Sequence, residues 1–413
     1  MPFGLLKYGL RKQHPGQHHF TPTKPLKSHY DVVIIGAGGH GCSIAYYLAK
    51  HHGITDIALI DKAYLGGGNT ARNTAVIRSN YLTESGVNFY RDSVALYQGL
   101  SNEFGYNIMM ENRGQLTLAH SDAAIRSFRW RAEVNQHLGV RSELVDRQTI
   151  QELVPNLNLA DDARFPVLAG LWHADGATAR HDAVVWGYAR GACQRGVELH
   201  QLTEAQGIEI DAGRVVGVRT NRGRVACGAV VQAVAGASSV VGKLAGIKLP
   251  IHSFPLQAMV TQPYKPVLTP HVSSPHVHVY IHQTSRGEFV IGGGSDPYPL
   301  YHTRATLDQR EILSAATLEL FPFLAQAKLL RQWAGTTDMT PDYSPIMGLS
   351  PVENYYLDAG WGTWGFKATP ISGQTMAELV ATGKVPALIQ PFEFERFYRF
   401  QQVNEAGATA ASH

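Results

Sequence analysis

From His29 the chain continues Tyr30-Asp31-Val32-Val33-Ile34-Ile35, a short apolar run that stops at Gly36. A run that is apolar on both faces is the pattern of a buried parallel strand. Ser43 to Lys50 then carries apolar residues at helical spacing, and Ile57-Ala58-Leu59-Ile60 makes a second apolar run ending at Asp61. Strand, glycine turn, helix and strand are therefore predicted in close succession. Farther on, Gly196–His200 and Val215–Val218 read as strands of a β-meander, and Val230–Ala237 as a buried strand returning to the first sheet. Between about Pro250 and Trp333 the pattern becomes alternating, as in Pro275–Gln283 and Glu288–Gly292, which predicts an antiparallel sheet. Near the far end, Tyr355-Tyr356-Leu357 reads as a strand, followed by a glycine-rich loop and a helix opening at Thr369-Pro370.

Composition narrows the class. At 413 residues the chain is longer than one ordinary domain, and 44% hydrophobic with 17% charged residues is the balance of a globular enzyme. A net charge of +3 implies neither a nucleic-acid nor an anionic-membrane partner. Cys42, Cys193 and Cys227 stand far apart without metal or disulfide spacing, which suits a reducing cytoplasm. No stretch approaches the roughly 18 consecutive apolar residues of a membrane-spanning helix. Met1–Lys27, basic and with four prolines, lacks the apolar core of a secretory signal and reads as a surface arm or one that docks on another subunit.

The first candidate chemistry lies on the glycines. Gly36 permits the tight turn, Gly38 the approach of a pyrophosphate, and Gly41 the close packing of helix on strand. The helix N-terminus faces the phosphates. Asp61, at the end of the second strand, can accept both ribose hydroxyls. An NAD domain would continue with further βαβ units. Here the second strand leads instead into Gly66-Gly67-Gly68-Asn69-Thr70-Ala71-Arg72-Asn73-Thr74, a polar segment able to line an extended cofactor. A second glycine-rich loop, Gly360-Trp361-Gly362-Thr363-Trp364-Gly365-Phe366-Lys367, stands near the other end of the chain. A site assembled from both chain ends favours FAD. The fold expected is mixed α/β: a Rossmann-like FAD-binding domain (29–110, 160–249 and 334–395) with an inserted antiparallel-sheet substrate domain (111–159 and 250–333), an arm over 1–28 and a tail over 396–413.

The segments Gly36–Gly41, Gly67–Thr74, Ile77–Tyr81 and Gly360–Lys367 closely resemble the β subunits of heterotetrameric sarcosine oxidases. So do Ala179–Asp182, Pro255–Ala258, His276–Tyr280 and Asn404–Ala408, and the likeness runs from about Tyr30 to the C-terminus. The resemblance implies the fold of the D-amino-acid-oxidase and glycine-oxidase group. It implies oxidation of the N-methyl group of sarcosine at noncovalent FAD, giving glycine, a one-carbon unit and, after electron transfer to FMN, hydrogen peroxide. It also implies α, γ and δ partner subunits and FMN bound covalently to His181, beside Arg180. The implied cofactor residues are Gly36, Gly38, Gly39, His40, Gly41, Asp61, Asn69, Arg72, Asn73, Thr74, Ile77, Ala205, Gly362, Gly365 and Lys367.

Arg78 and Lys367 are the substrate candidates. The carboxylate of a small amino acid over a flavin needs fixed cations, and arginine offers a bidentate fork. In the related monomeric sarcosine oxidases matching positions clamp that carboxylate. The alternative is that Arg78 pairs with an acidic neighbour while Lys367 contacts the flavin. His276, His278, Tyr280 and His282 alternate, which places them on one strand face at about 7 Å per step, too wide for a single metal ion. A cavity wall, with Tyr280 and His278 nearest the flavin, and a solvated sheet face remain equal readings. No cysteine lies in the last third of the chain to bond FAD, and no lysine for oxygen activation stands near Glu288-Phe289-Val290. Trp364, where the family generally has glycine, and Gly294–His302 depart from the pattern. They leave room for another N-substituted amino acid, such as N-methylglutamate, an opine or a D-amino acid, or for a non-catalytic assembly subunit.

Overall fold

A computed structural model describes residue 10 and residues 24–408, so most of the N-terminal arm lies outside the described residues. The first strand, His29–Ile35, pairs in parallel with Ile57–Ile60 on one side and with Gly223–Gln232 on the other. Glu198–His200 extends the parallel order beyond Ile57–Ile60, and Tyr355–Ala359 does so beyond Gly223–Gln232. This corrects the reading of Gly196–His200 as part of the meander. The chain reaches that strand through a helix, and a helical crossover returns a strand parallel to its neighbour. The meander comprises Ala205–Asp211, Arg214–Thr220 and Gly223–Gln232. The expected strand over Val230–Ala237 ends at Gln232, after which Ala235–Ala237 forms a short 3-10 turn.

The helices that matter for the site are α1 (Gly39–His51), α2 (Glu84–Phe104), α3 (Asp122–His137), α4 (His181–Gln194) and α5 (Gly365–Thr382). Buried tyrosines and aliphatic residues of α1, α2, α4 and α5 form one core layer against the parallel sheet. Thr83 caps α2 by accepting from Gly86 N–H, and Ser121 caps α3 by accepting from Ala124 N–H. Helix α5 starts four residues before the expected Thr369-Pro370, so Pro370 lies inside it. Proline has no N–H to give the carbonyl four residues earlier. That carbonyl, on Phe366, accepts the Tyr97 hydroxyl of α2 instead.

A second sheet has eight strands in the order Leu329–Met339, His252–Thr261, Phe289–Ser295, Val279–Gln283, His271–Ser274, Gln115–Ala119, Ala169–His173 and Ser142–Val145, and so includes a strand from 160–249. The row of three histidines and a tyrosine on one strand does not form. His271–Ser274 pairs antiparallel with Val279–Gln283 through Ser274 opposite Val279, so residues 275–278 are the hairpin connection. His278 there adopts φ 51°, a turn conformation, and only Tyr280 and His282 remain on the strand. A small third sheet joins Val76–Ile77 and Glu111–Asn112 to Ala177–Thr178.

The C-terminal residues up to Ala408 pack back on the molecule. Arg396 and Asp342 form a buried ion pair at 2.8 Å. The buried Glu405 carboxylate accepts from Leu82 N–H, Thr83 N–H and the Thr83 hydroxyl at the start of α2. Among the described residues no helix is long and apolar enough to cross a membrane.

Candidate active site

Backbone geometry at the first glycine turn is set by contacts that exclude a side chain. Gly36 has φ +108°, and a Cβ there would lie 2.2 Å from the Ala233 carbonyl oxygen. A Cβ on Gly41 would lie 1.9 Å from the oxygen of Gly36. The turn therefore closes directly onto α1, which has no side-chain cap at Gly38 and whose first-turn N–H groups have no partner within the helix. Gly39 N–H donates to Thr70 Oγ1 at 2.9 Å, joining this turn to the 66–74 segment. Asp61 accepts from Ala37 N–H at 2.8 Å and Ala63 N–H at 2.7 Å, which fixes its carboxylate at the end of the second strand.

The two glycine-rich loops from opposite chain ends meet through Asp358. Its carboxylate accepts from His40 Nδ1 at 2.9 Å, Trp361 Nε1 at 2.7 Å and Ser372 Oγ at 3.2 Å. His40 Nε2 donates to the Gly365 carbonyl at 2.6 Å, so both ring nitrogens face acceptors. Burial pushes the His40 imidazole down, but Asp358 more than offsets this and its pKa stands above the ordinary value. A doubly protonated ring is the state that satisfies both acceptors. Asn69 adds a second tie: its side chain donates to Thr336 O at 2.5 Å and accepts from Thr336 N–H at 3.0 Å.

A cavity of about 650 Å³ runs along these joined loops. Of the residues expected at the cofactor and substrate, Gly36, Gly38, Gly39, His40, Asp61, Asn69, Arg72, Asn73, Thr74, Arg78, Ala205, Tyr280, Gly362, Gly365 and Lys367 border it. Gly41 and Ile77 do not border it; Ile77 is fully buried and pairs with Ala177. His278 is in the hairpin connection and does not border the cavity. Arg180 and His181 also lie away from it, at the start of α4. Arg180 is exposed and paired with Asp182 at 2.5 Å, and burial lowers the pKa of His181.

At one end the cavity is strongly cationic. Arg78 is 5% exposed and Lys367 6%. Arg78 Nη1 donates to Asn80 O at 3.1 Å and Oδ1 at 3.0 Å, and Nη2 to Ala408 O at 2.6 Å. Its guanidinium carbon lies 4.4 Å from the Tyr81 ring centre. Lys367 Nζ donates to Thr363 O at 3.3 Å. Burial, reinforced by the charge of Arg78, holds the lysine far below its ordinary pKa. Among the described residues neither cation forms an ion pair with a carboxylate. The expected alternative, Arg78 paired with an acidic neighbour, is thus not what the geometry presents. Arg131, on α3, borders the same end and was not singled out in the sequence. Its signal was there: Phe128, Arg131, Ala132 and Asn135 share one helix face, so an arginine occupies a core position.

Neutral groups complete this end. His271 is buried with Nδ1 unpartnered, and burial, then His282 and Arg78, keep its pKa far below the ordinary value. Tyr280 accepts from Thr74 Oγ1 at 3.2 Å. Trp364 is buried edge-on to Tyr81, with ring centres 5.4 Å apart. Where the loops join, Asp338 accepts from Gly360 N–H at 2.7 Å while its other oxygen is buried without a partner. Burial raises its pKa to about 7, against the pull of the Trp361 and Gly360 amides.

A cavity bordered by a helix N-terminus, a fixed carboxylate and buried basic side chains fits a flavoprotein oxidoreductase. The chain belongs to the FAD dependent oxidoreductases of the DAO family, whose family model matches residues 31–379. The residues present fit that cofactor: glycine turn, Asp61 and the 66–74 segment border one continuous space. Within this family the chain is 44% identical over 411 residues to the sarcosine oxidase subunit beta of Rhodobacter capsulatus, covering 100% of this chain and 99% of that protein. It is 43% identical over 404 residues to the subunit beta from Arthrobacter sp, covering 98% and 99%. Among solved structures, the L-proline dehydrogenase of P. horikoshii superimposes with a TM-score of 0.85 at 30% identity, covering 92% of this chain and 100% of that one.

Proposed function

We propose that the chain is the catalytic β subunit of a multi-subunit sarcosine oxidase. The observation that carries this reading is the pair of buried basic side chains, Arg78 and Lys367, facing the cavity without a carboxylate partner, where an arriving carboxylate would favour the charged form of both. A buried charge left unpaired is costly, and an amino-acid carboxylate arriving there removes the cost. Arginine has five N–H donors and Arg78 commits three, which leaves two for a carboxylate. Bound FAD supplies the two-electron acceptor. The chain's own residues fix the carboxylate, hold the N-methyl carbon over the cofactor and exclude water behind Trp364 and Tyr280. Oxidation of the N-methyl C–H gives an imine, and water hydrolyses it to glycine and a one-carbon unit.

Three finer parts belong to the same reading. His181 carries FMN covalently, and its partly buried place at the start of α4, outside the FAD cavity, is consistent with a second flavin at a subunit interface. A flavin held there would supply a separate site at which oxygen is reduced to peroxide. The relatives' name as a subunit beta supports an assembly with partner chains, which the sequence resemblance gives as α, γ and δ, and three free cysteines support a reducing, cytoplasmic setting. Anaerobic flavin reduction tests the substrate. Sarcosine should bleach the flavin faster at low concentration than N-methylglutamate, an opine, proline or a D-amino acid. A faster competitor would move the substrate within the same class, and no bleaching by any of them would leave a non-catalytic subunit.

A further inference from the structure

Helix α3 buries two polar side chains beside Phe128 and Ala132, and both are directed at one short segment. Arg131 Nε donates to the Asn80 carbonyl at 2.8 Å, and Nη2 donates to the same oxygen. Asn135 Nδ2 donates to the neighbouring Tyr81 carbonyl at 2.8 Å. Asn80 is also the residue that holds Arg78, through its carbonyl and its side-chain oxygen. One carbonyl oxygen therefore sits between two guanidinium groups, each almost fully buried.

This arrangement is poor for stability. Burial, and then the charge of Arg78, lowers the Arg131 pKa to about 9, far below an ordinary arginine. An apolar side chain at a core position would avoid that penalty. Among the described residues no carboxylate forms an ion pair with Arg131; Glu405 acts on it only at longer range. What Arg131 does achieve is geometric. It holds the same Asn80 carbonyl oxygen that accepts from Arg78 Nη1, so the acceptor that orients Arg78 is itself held in place. Arg131 borders the cavity, but among the described residues the hydrogen bonds of its side chain go only to the Asn80 carbonyl.

We infer that Arg131 is a positioning residue for the substrate carboxylate, acting through Asn80 to aim the two uncommitted N–H donors of Arg78 into the cavity. The inference rests on the carboxylate clamp proposed above. The full-length, FAD-loaded protein is titrated with acetate, followed by the flavin absorbance, and reduced anaerobically with sarcosine. In Arg131→Gln, acetate and sarcosine should each bind about tenfold more weakly, the loss of one charge-assisted contact. The limiting rate of flavin reduction should stay within about threefold, with FAD content unchanged. Arg131→Lys keeps the charge but not the paired donors, and should recover part of the affinity. In an Arg78→Ala background, Arg131→Gln should add less than about a twofold further loss, because its action passes through Arg78.

Unchanged acetate affinity in Arg131→Gln overturns the inference, and so does a fully additive loss in the double variant. Should Arg131→Gln not fold, Arg131→Lys decides, and wild-type affinity there also overturns it. If Arg78→Ala loses binding while Arg131→Gln does not, this inference falls and the clamp stands. If the parent protein neither binds acetate nor is reduced by sarcosine, the clamp falls with it.

Discussion

The two ends of the cavity are built on opposite principles. At the nucleotide end, one contiguous stretch from His29 to Asp61 supplies strand, turn, helix and acceptor, and its polar contacts are mostly backbone N–H groups and short side chains. At the substrate end, Arg78, Arg131, Lys367 and Ala408 come from four separate parts of the chain, with Arg78 and Ala408 lying 330 residues apart. The first end is a local geometry that tolerates no added atom. The second is an electrostatic arrangement that tolerates its own strain because a ligand charge relieves it. Damage to the two ends should differ in kind as well as in size.

The largest effect belongs to the nucleotide end. Gly41→Val places side-chain atoms against the Gly36 oxygen, where even a Cβ would lie 1.9 Å away. Neither backbone can yield without opening the turn, so a loss of about 4 kcal/mol or more is expected. The purified protein should be colourless or insoluble. A yellow, stable Gly41→Val protein would show that the turn is not a steric limit and would remove the contrast between the two ends. Next comes Arg78→Ala, which should keep FAD but raise the sarcosine concentration needed for half-maximal flavin reduction by about 100-fold, the scale of a lost charged contact. Unaltered half-saturation would break the carboxylate clamp.

The same division explains what the sequence disclosed. The nucleotide end was legible because its information is local: an apolar run, glycines at fixed spacing and an acidic residue at the end of the next strand. Arg78 and Lys367 were legible as the residues that follow or end the two cofactor-lining segments, and motifs matched to a family gave them their role. Arg131 was passed over because a lone arginine on a helix reads as a solvated side chain until its apolar neighbours Phe128 and Ala132 are seen to share its face. The histidine row failed for a different reason. Alternation over Pro275–Gln283 satisfies strand periodicity, but a hairpin connection occupies its first half, and pattern alone does not distinguish the two. The early start of α5 was hidden by Pro370, whose missing N–H is compensated by Tyr97 from another helix.

A smaller effect should sharpen the description of the substrate end. Trp364 closes the cavity edge-on to Tyr81. Trp364→Phe trims the indole and keeps an aromatic ring, at a cost of about 1–2 kcal/mol in stability from incomplete collapse. If this side chain limits the space beside the N-substituent, N-ethylglycine should gain about tenfold on sarcosine in the rate constant for flavin reduction at low substrate, the scale of one methylene in an apolar pocket. Equal ratios for parent and variant would assign Trp364 to packing alone.

The smallest effect probes the junction of the two ends. Asp338 accepts from the Gly360 amide, but burial raises its pKa to about 7, above the ordinary 3.8 of an aspartate. The folded state therefore keeps a proton that the unfolded state releases. The stability this provides is full below the ordinary pKa and is lost as pH rises through about 7. In the Asp338→Asn protein this side chain is neutral throughout, and its oxygen can still accept from Gly360 N–H. Between about pH 5 and 8 the melting temperature of the parent should fall more steeply than that of the variant, by about 1–3 °C for a chain of this size. Superimposable slopes would mean that Asp338 is already ionised at the lower pH. Its unpartnered buried oxygen would then carry charge, and the junction would share the electrostatic character of the substrate end rather than the steric character of the nucleotide end.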